Sequence, residues 1–169
     1  MTFLVTAFVV FSNLINLFFY QATQPVTDVA RYAEVRSRYE ESAFVSHFPE
    51  TIPPEASNVR FYYFPGFLQG GMQLQLRLQL PLQQWRDRRA QYAAAASYRF
   101  VDGEHRSLEN DIPIAAFSTS DEALDFPDTY EILVLDARSQ GEPEWNHGYS
   151  YGVALNAEMS EIVYWADDW

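Results

Sequence analysis

The chain has 169 residues, no cysteine and a formal net charge of −12. The lack of cysteine excludes disulfide frameworks, thiolate zinc sites and cysteine nucleophiles. All 11 basic residues are arginine, so lysine Schiff-base chemistry and a P-loop lysine are excluded as well. Duplex nucleic acid is not expected as a partner, because a surface that binds it must be basic enough to displace counterions.

The N-terminal segment is uncharged and hydrophobic. No charged residue occurs before Asp28, and the stretch from Phe3 to Tyr20 is almost wholly apolar. A helix needs roughly 20 apolar residues to cross the hydrocarbon core of a bilayer, and about 18 is near the lower limit. We therefore interpret residues 1–24 as a membrane anchor or signal segment whose residues 3–20 contact membrane lipid. A helix buried in the protein core is the alternative, although soluble helices are rarely apolar on every side.

The residues around this segment bear on how it is used. No basic residue precedes the apolar run, and Gln21-Ala22-Thr23-Gln24 is a poor cleavage site, so an uncleaved anchor is favoured over a cleaved signal peptide. Arg31, Arg36 and Arg38 follow the run, and the positive-inside rule would place them in the cytoplasm. Glutamates share that segment, and we expect a domain that lies outside the cytoplasm.

Residues 25–169 are predicted to form one domain that begins with a helix. A capping side chain at Thr27 or Asp28 and apolar residues spaced three or four apart predict a helix over residues 28–46. Residues 59–64 alternate as in a strand, and residues 72–80 alternate strictly between apolar side chains and Gln or Arg. These two strands are predicted to pair antiparallel, with the glutamine face of the second strand in solvent.

The second half of the chain adds one helix and four strands. Pro81 and a run of strong helix formers predict a helix over residues 83–96, with Leu82, Trp85 and Tyr92 on its buried side. A short strand at 98–101, an acidic loop at 118–127, a buried strand at 129–137 and a hairpin of 148–155 with 161–166 follow. The sequence thus predicts an α+β fold, in which an antiparallel sheet is packed by two helices and preceded by the N-terminal apolar helix.

One segment matches a catalytic motif. Gly148 to Gly152 reads G-x-S-x-G, the nucleophile elbow of the α/β-hydrolases. That elbow needs a helix after the serine and a histidine later in the chain, whereas a strand is predicted after Ser150 and all three histidines precede it. A triad of His105, a serine and Asp111 or Asp136 is chemically allowed, because triads are defined by geometry, but no local pattern supports it. We assign no catalytic residue from the sequence.

Metal binding is not predicted either. Glu142, Glu144 and His147 are close in sequence, and oxygen and imidazole ligands suit zinc or manganese. Their spacing matches no recognised metal motif such as H-E-x-x-H, and acidic clusters are usual on the surface of an acidic chain. The sequence therefore predicts no metal ligand and no cofactor.

A segment rich in proline, glycine and aromatic residues carries a family resemblance. It contains His47-Phe48-Pro49, Ile52-Pro53, the run Phe61-Tyr62-Tyr63-Phe64-Pro65-Gly66-Phe67-Leu68-Gln69-Gly70-Gly71, and Leu74-Gln75-Leu76. It resembles a group of uncharacterised bacterial envelope or lipoprotein-like proteins that carry similar HFP, IP, PGFLQGG and LQL elements. The resemblance implies a bacterial protein of unassigned function and carries over no catalytic residue. Some such proteins have a lipid-attachment cysteine, which this chain lacks.

The loop from Pro65 to Gly71 is held by two predicted strands, and rigid strands often position binding residues on such loops. The predicted binding residues lie in this loop, beside it, or near the start of the C-terminal hairpin: Tyr62, Phe64, Gly66, Phe67, Gln69, Gly70, Gly71, Trp145, His147 and Tyr149. We expect a membrane-anchored interaction or accessory module that binds an envelope protein or a small polar ligand. The alternatives are a hydrolase of envelope material that uses Ser150 or a carboxylate pair near His147, and a subunit of a larger membrane complex.

Overall fold

A computed structural model describes residues 24–66, 71–106, 112–140 and 147–169. Its helices are α1 (Tyr32–Ser37) and α2 (Leu82–Ala95), and short 3₁₀ turns lie at Val29–Arg31, Ala43–Val45 and Glu104–Arg106. Its strands are β1 (Ser57–Phe64), β2 (Gln73–Gln79), β3 (Tyr98–Phe100), β4 (Tyr130–Gln140), β5 (His147–Asn156) and β6 (Glu161–Asp168). They form one antiparallel sheet in the order β1-β2-β6-β5-β4-β3. The predicted α+β fold is confirmed, while the predicted N-terminal apolar helix lies outside the described residues.

Two hairpins make up most of the sheet, and both were predicted. β1 pairs antiparallel with β2, and β5 pairs antiparallel with β6 across the turn at residues 157–160. β2 and β6 then join the hairpins at the centre of the sheet. In a strand, every second side chain points to the same face, so the alternating apolar residues of β2 form one row and all reach one core. All five members of that row are buried: Met72, Leu74, Leu76, Leu78 and Leu80.

The larger core lies between this face of the sheet and the two helices. Tyr32 and Val35 of α1 and Trp85 and Tyr92 of α2 are buried against it. Trp85 also donates from its indole nitrogen to the Glu161 carbonyl oxygen, at 3.0 Å, which ties α2 to β6. Leu82 was predicted to face the core, but it is the first residue of α2 and is 49% exposed.

The predicted helix over residues 28–46 is interrupted. α1 ends at Ser37, and a separate 3₁₀ turn follows at Ala43–Val45. Tyr32 and Val35 lie in α1, but beyond Ser37 aromatic side chains reach the sheet from an irregular backbone. Tyr39 shares a hydrogen bond of 2.9 Å between its hydroxyl and that of Tyr63, and Phe44 packs edge-on against two tyrosines of β5.

The glutamine face of β2, which is the opposite face of the sheet, was predicted to lie in solvent, and this prediction is wrong for Gln75. Residues 112–128 cover it and build a second core with Phe117, Phe126, Tyr130 and Trp165. Gln75 of β2 is only 3% exposed on this face. Its amide nitrogen donates to the Ala116 carbonyl at 2.7 Å, and its amide oxygen accepts from the Thr119 backbone and hydroxyl, both at 2.9 Å. A buried glutamine is tolerated here because it satisfies the backbone of an irregular segment.

Candidate functional site

A cleft opens where β1, β2 and β6 end on the second face of the sheet. Phe64 pairs with Gln73, and Gln73 pairs with Asp167, so these three side chains form a row across the strands. Tyr62 lies two residues before Phe64 and therefore points to the same face. The cleft has a volume of about 550 Å³, and its remaining walls are Pro25, Gly71, Pro113, Asp168 and Trp169.

Asp167 dominates the electrostatics of the cleft. Burial raises the pKa of its carboxyl to about 6, and the neighbouring charge of Asp168 adds to the increase. The second-largest effect is a hydrogen bond from the Gln73 amide nitrogen to Asp167 Oδ2, at 3.3 Å, which opposes the increase in pKa without cancelling it. The negative charge of Asp167 also adds to the effect of burial in raising the pKa of Tyr62. No arginine lines the cleft among the described residues, so no described wall residue neutralises this carboxylate.

The backbone around the cleft is fixed by close contacts between β2 and β6. The Asp168 amide donates to the Met72 carbonyl at 3.0 Å, and the Met72 amide donates to the Asp168 carboxylate. A Cβ at Gly71 would overlap the Asp168 carbonyl, so this position accepts only glycine without a backbone shift. Trp169 exchanges two backbone hydrogen bonds with Gly148, both at 3.0 Å. The wall that carries Asp167 is therefore anchored on both sides.

Three of the predicted binding residues meet in this cleft. Tyr62, Phe64 and Gly71 line it, and Gly66 follows Phe64 closely with a positive φ of 79°. Four other predicted binding residues lie outside the described part of the chain: Phe67, Gln69, Gly70 and Trp145.

The two remaining predicted residues are elsewhere. His147 is exposed at the start of β5, and Tyr149 lies on the helix-covered face of the sheet. Tyr149 donates to Asp136 Oδ2 at 3.0 Å, and its ring stacks on that of Tyr151. Neither His147 nor Tyr149 lines the cleft.

Sequence reasoning missed the acidic wall of the cleft. Gln73 follows Gly71 closely in the chain, but Asp167 and Asp168 are joined to the Tyr62–Gly71 segment only through the pairing of β2 with β6, which links residues more than 80 positions apart. One signal was available: Asp167 continues the alternation of Val163 and Trp165, which places its carboxyl on a buried face. An acidic residue at the end of such a row is a candidate for a perturbed pKa.

The position of Ser150 does not fit that of a catalytic nucleophile. It lies within β5, with strand on both sides, and is fully buried. Its Oγ has no hydrogen-bond partner among the described residues. The sharp strand-to-helix turn that exposes a hydrolase serine is absent at this point of the strand.

The HFP segment has a structural explanation. His47 Nε2 lies 3.1 Å from the carbonyl oxygens of both Gly152 and Trp165, which fits a ring that donates from this nitrogen. Burial lowers the pKa of His47 to about 3, so the ring is neutral near pH 7. The His47 carbonyl accepts from the Tyr92 hydroxyl at 2.8 Å, and the Pro49 carbonyl accepts from the Tyr32 hydroxyl. This turn therefore links both helices to the centre of the sheet.

Other site types find no support in the described ranges. Across 24–66, 71–106, 112–140 and 147–169, no three acidic or histidine side chains are grouped so as to hold a metal ion. Glu142, Glu144 and Asp111 lie outside those ranges. Among the helices that the structure describes, none combines the length and apolar character needed to span a membrane.

Comparison with known proteins assigns the chain to no family. The chain matches no family model, and it has no significant similarity to a curated protein or to a solved structure. The resemblance based on the segment from His47 to Leu76 stays a prediction.

Replacing Asp167 with asparagine should stabilise the fold at neutral pH. The pKa of Asp167 is raised from an ordinary value of 3.8 to about 6, so the folded state holds this proton more tightly than the unfolded chain does. Ionisation therefore costs stability progressively between pH 4 and 6, and the full cost is present above pH 6. We expect Asp167→Asn to raise the free energy of unfolding by about 1–3 kcal/mol at pH 7.5, and by almost nothing at pH 4.

Urea denaturation at the two pH values measures this difference. Asp121→Asn is the control, because the Asp121 carboxylate is largely exposed and pairs with Arg60 at the surface. Its loss should cost about 0–1 kcal/mol and should give no gain at either pH. A destabilised Asp167→Asn protein at pH 7.5 would show that the Asp167 carboxylate is compensated in the folded state.

Proposed function

We propose that this protein is a membrane-anchored interaction module of a bacterial envelope and that the cleft between β1, β2 and β6 is its recognition site. The observation that carries the proposal is the half-buried Asp167, whose carboxylate lies in the cleft with Tyr62 and Phe64 and has no counterion among the described residues. Such a group costs stability at neutral pH, and proteins keep costly groups where binding or chemistry needs them. Rigid strands hold all three side chains.

The same cleft favours binding over hydrolysis. Asp167 and Asp168 are consecutive residues of β6, so their side chains leave the strand on opposite faces. Two carboxyls that cleave a glycosidic bond must instead flank it from both sides. The Asp168 carboxylate is also occupied by the Met72 amide. A hydrolase is the second candidate, and the raised pKa of Asp167, which suits a general acid, is the observation in its favour.

Membrane anchoring is proposed from the sequence, because residues 3–20 are almost wholly apolar. Fractionation of cells that express the full chain, followed by protease treatment of intact cells, tests both the anchoring and the side of the membrane. We expect the chain in the membrane fraction after a carbonate wash and protease-sensitive from outside the cytoplasm. Recovery in the soluble fraction would contradict the anchor.

Photo-crosslinking in intact cells tests the recognition site. A benzoylphenylalanine at position 62 should form an adduct with the partner or ligand, and Asp167→Asn should lower its yield at least tenfold. The matched control is a benzoylphenylalanine at position 98, because Tyr98 is exposed on β3, at the far edge of the sheet. Adducts from position 98 should not change with Asp167→Asn.

Each outcome bears on the proposal. An adduct from position 62 that depends on Asp167 supports recognition at the cleft, and mass spectrometry of the adduct tells a protein subunit from a small ligand. Equal yields with and without the Asp167 carboxyl, or adducts from position 98 alone, would overturn the proposed site.

A further inference from the structure

The charges that surround the cleft are one-sided. Asp167 and Asp168 are among the described residues that line it, and the other described side chains of the lining carry no charge. The Asp168 side chain leaves β6 on the opposite face, so the carboxylate that faces the cleft is that of Asp167. The nearest basic side chain on the same strand as Tyr62 is Arg60, which pairs with Asp121. On β2, Arg77 pairs with Glu161. These arginines are already neutralised by other acids, and the cleft keeps its negative charge.

The groups that face Asp167 offer acceptors and aromatic rings. Tyr62 and Phe64 come from β1 and Gln73 from β2, while Pro113 of the covering segment is neutral. Ser150 pairs with Asp167 across β5 and β6, so its buried, unpartnered hydroxyl lies on the same face. Among the described side chains, the titratable groups around the Asp167 carboxyl are thus Tyr62 and Asp168, and Tyr39 lies near Asp168 on the other face.

These features indicate which class of ligand suits the cleft. A half-buried carboxylate is stabilised most by a positive charge placed against it. Aromatic faces attract the same kind of group, because an organic cation is held by the ring quadrupole. A neutral sugar would also stack on the rings but would leave the carboxylate uncompensated. A cleft of about 550 Å³ is large enough for a guanidinium or ammonium group with its alkyl stem.

We infer that the cleft binds an organic cation, a guanidinium or alkylammonium group, which pairs with the Asp167 carboxylate between the rings of Tyr62 and Phe64. The inference rests on the proposed function and names the ligand class of that site. The cation belongs either to a free small molecule or to an arginine or lysine side chain of a partner. Because a protonated Asp167 cannot pair with it, binding and protonation compete.

Calorimetric titration of the full chain in detergent tests the ligand class. The probe is N-acetylarginine amide, and the control is N-acetylcitrulline amide, which has nearly the same shape and no charge. We expect the arginine probe to bind at least tenfold more tightly than the citrulline probe at pH 7.5. Its affinity should fall about tenfold between pH 7 and pH 5, because the Asp167 carboxyl, with a pKa of about 6, becomes protonated over that range.

Two variants separate a specific site from general attraction to an acidic protein. Asp167→Asn should weaken binding of the arginine probe at least tenfold and remove its pH dependence. Glu131→Gln removes an acid of β4 that pairs with Arg89 and Arg99, away from the cleft, and should leave binding unchanged. Equal affinity for both probes, or binding that survives Asp167→Asn, would overturn the inference.

The outcomes also distinguish the inference from the proposed function and identify the source of the cation. If the arginine probe fails to bind while crosslinking from position 62 depends on Asp167, the site stands and the ligand class is wrong. If both fail, the proposed function fails as well. If the probe binds, a protein adduct from position 62 identifies a partner side chain, and a small-molecule adduct identifies a free cation.

Discussion

Replacing Gly152 with alanine should lower the free energy of unfolding by about 4 kcal/mol or more, the largest effect that we expect from a single methyl group in this chain. A Cβ at this position would overlap the Leu133 carbonyl oxygen and lie 3.0 Å from the Val134 Cα. Both obstacles are backbone atoms of β4, so rotation of a side chain relieves neither contact. The only relief is a separation of β4 from β5, which pair over most of their length.

Urea denaturation of both proteins measures the effect, and Ser150→Ala is the matched control. Ser150 lies two residues earlier in β5, on the same face as Gly152 and equally buried among strands. Because its hydroxyl has no partner in the described structure, its removal should change the free energy of unfolding by less than about 1 kcal/mol. A Gly152→Ala protein as stable as the wild type would show that β4 and β5 do not approach so closely.

The hairpins were predictable because their information is local. In β2 the row from Met72 to Leu80 alternates without exception, and in β5 and β6 two apolar runs flank a short polar turn. Because side chains alternate between the two faces of a strand, the sequence of the strand alone determines which of them share a face, and this does not depend on which strand lies beside it. Trp85 and Tyr92, seven residues apart, likewise define the buried side of α2 without any tertiary information.

The covered second face was not predictable in the same way. Gln73, Gln75 and Arg77 are polar, and a polar row on a strand normally faces solvent. The burial of Gln75 depends on an irregular segment that is about 40 residues away in sequence and presents backbone groups that match its amide. No periodicity marks such a segment, because its contacts come from loop geometry and not from a repeating pattern.

One wall of the candidate cleft was predictable from local sequence, and the other wall was not. Its aromatic wall, Tyr62 and Phe64, was predicted from a glycine-rich loop between strands. Its acidic wall, Asp167, depends on the β2–β6 pairing, which joins residues more than 80 positions apart. The resemblance centred on the HFP segment also pointed to a structural element, since His47 binds two strand carbonyls and lies outside the cleft.

Replacing Glu161 with glutamine should cost about 2–4 kcal/mol, because it leaves the guanidinium of Arg77 without its counterion. Glu161 is only 1% exposed; its Oε2 lies 2.9 Å from Arg77 Nε, and its Oε1 accepts from the Tyr130 hydroxyl. Arg77 also lies over the Phe117 ring, 5.1 Å from the ring centroid. The glutamate therefore joins β2, β4 and β6 to the segment that covers the second face.

The control for this variant is Glu131→Gln, a change of the same kind on β4, which is separated from β6 by β5. Glu131 pairs with Arg89 and Arg99 at 2.7 and 2.6 Å, but both arginine side chains are largely in solvent. Water can replace their lost partner, and we expect a cost of about 1 kcal/mol or less. Urea denaturation at pH 7.5 compares the two variants, and similar losses would show that burial does not strengthen the Glu161 pair.

A double replacement separates the charge of this pair from its packing. The first explanation is that Glu161→Gln loses stability because the guanidinium of Arg77 is left unpaired. In that case, replacing both Arg77 and Glu161 with methionine should recover at least half of the lost free energy of unfolding. The reason is that exchanging a buried ion pair for apolar groups of similar volume often leaves stability unchanged. If the Tyr130 hydrogen bond and the cation–π contact with Phe117 carry the energy, the double variant should be no more stable than the single one. A coupling energy of about 2 kcal/mol between the two positions would support the first explanation, and a value near zero would support the second.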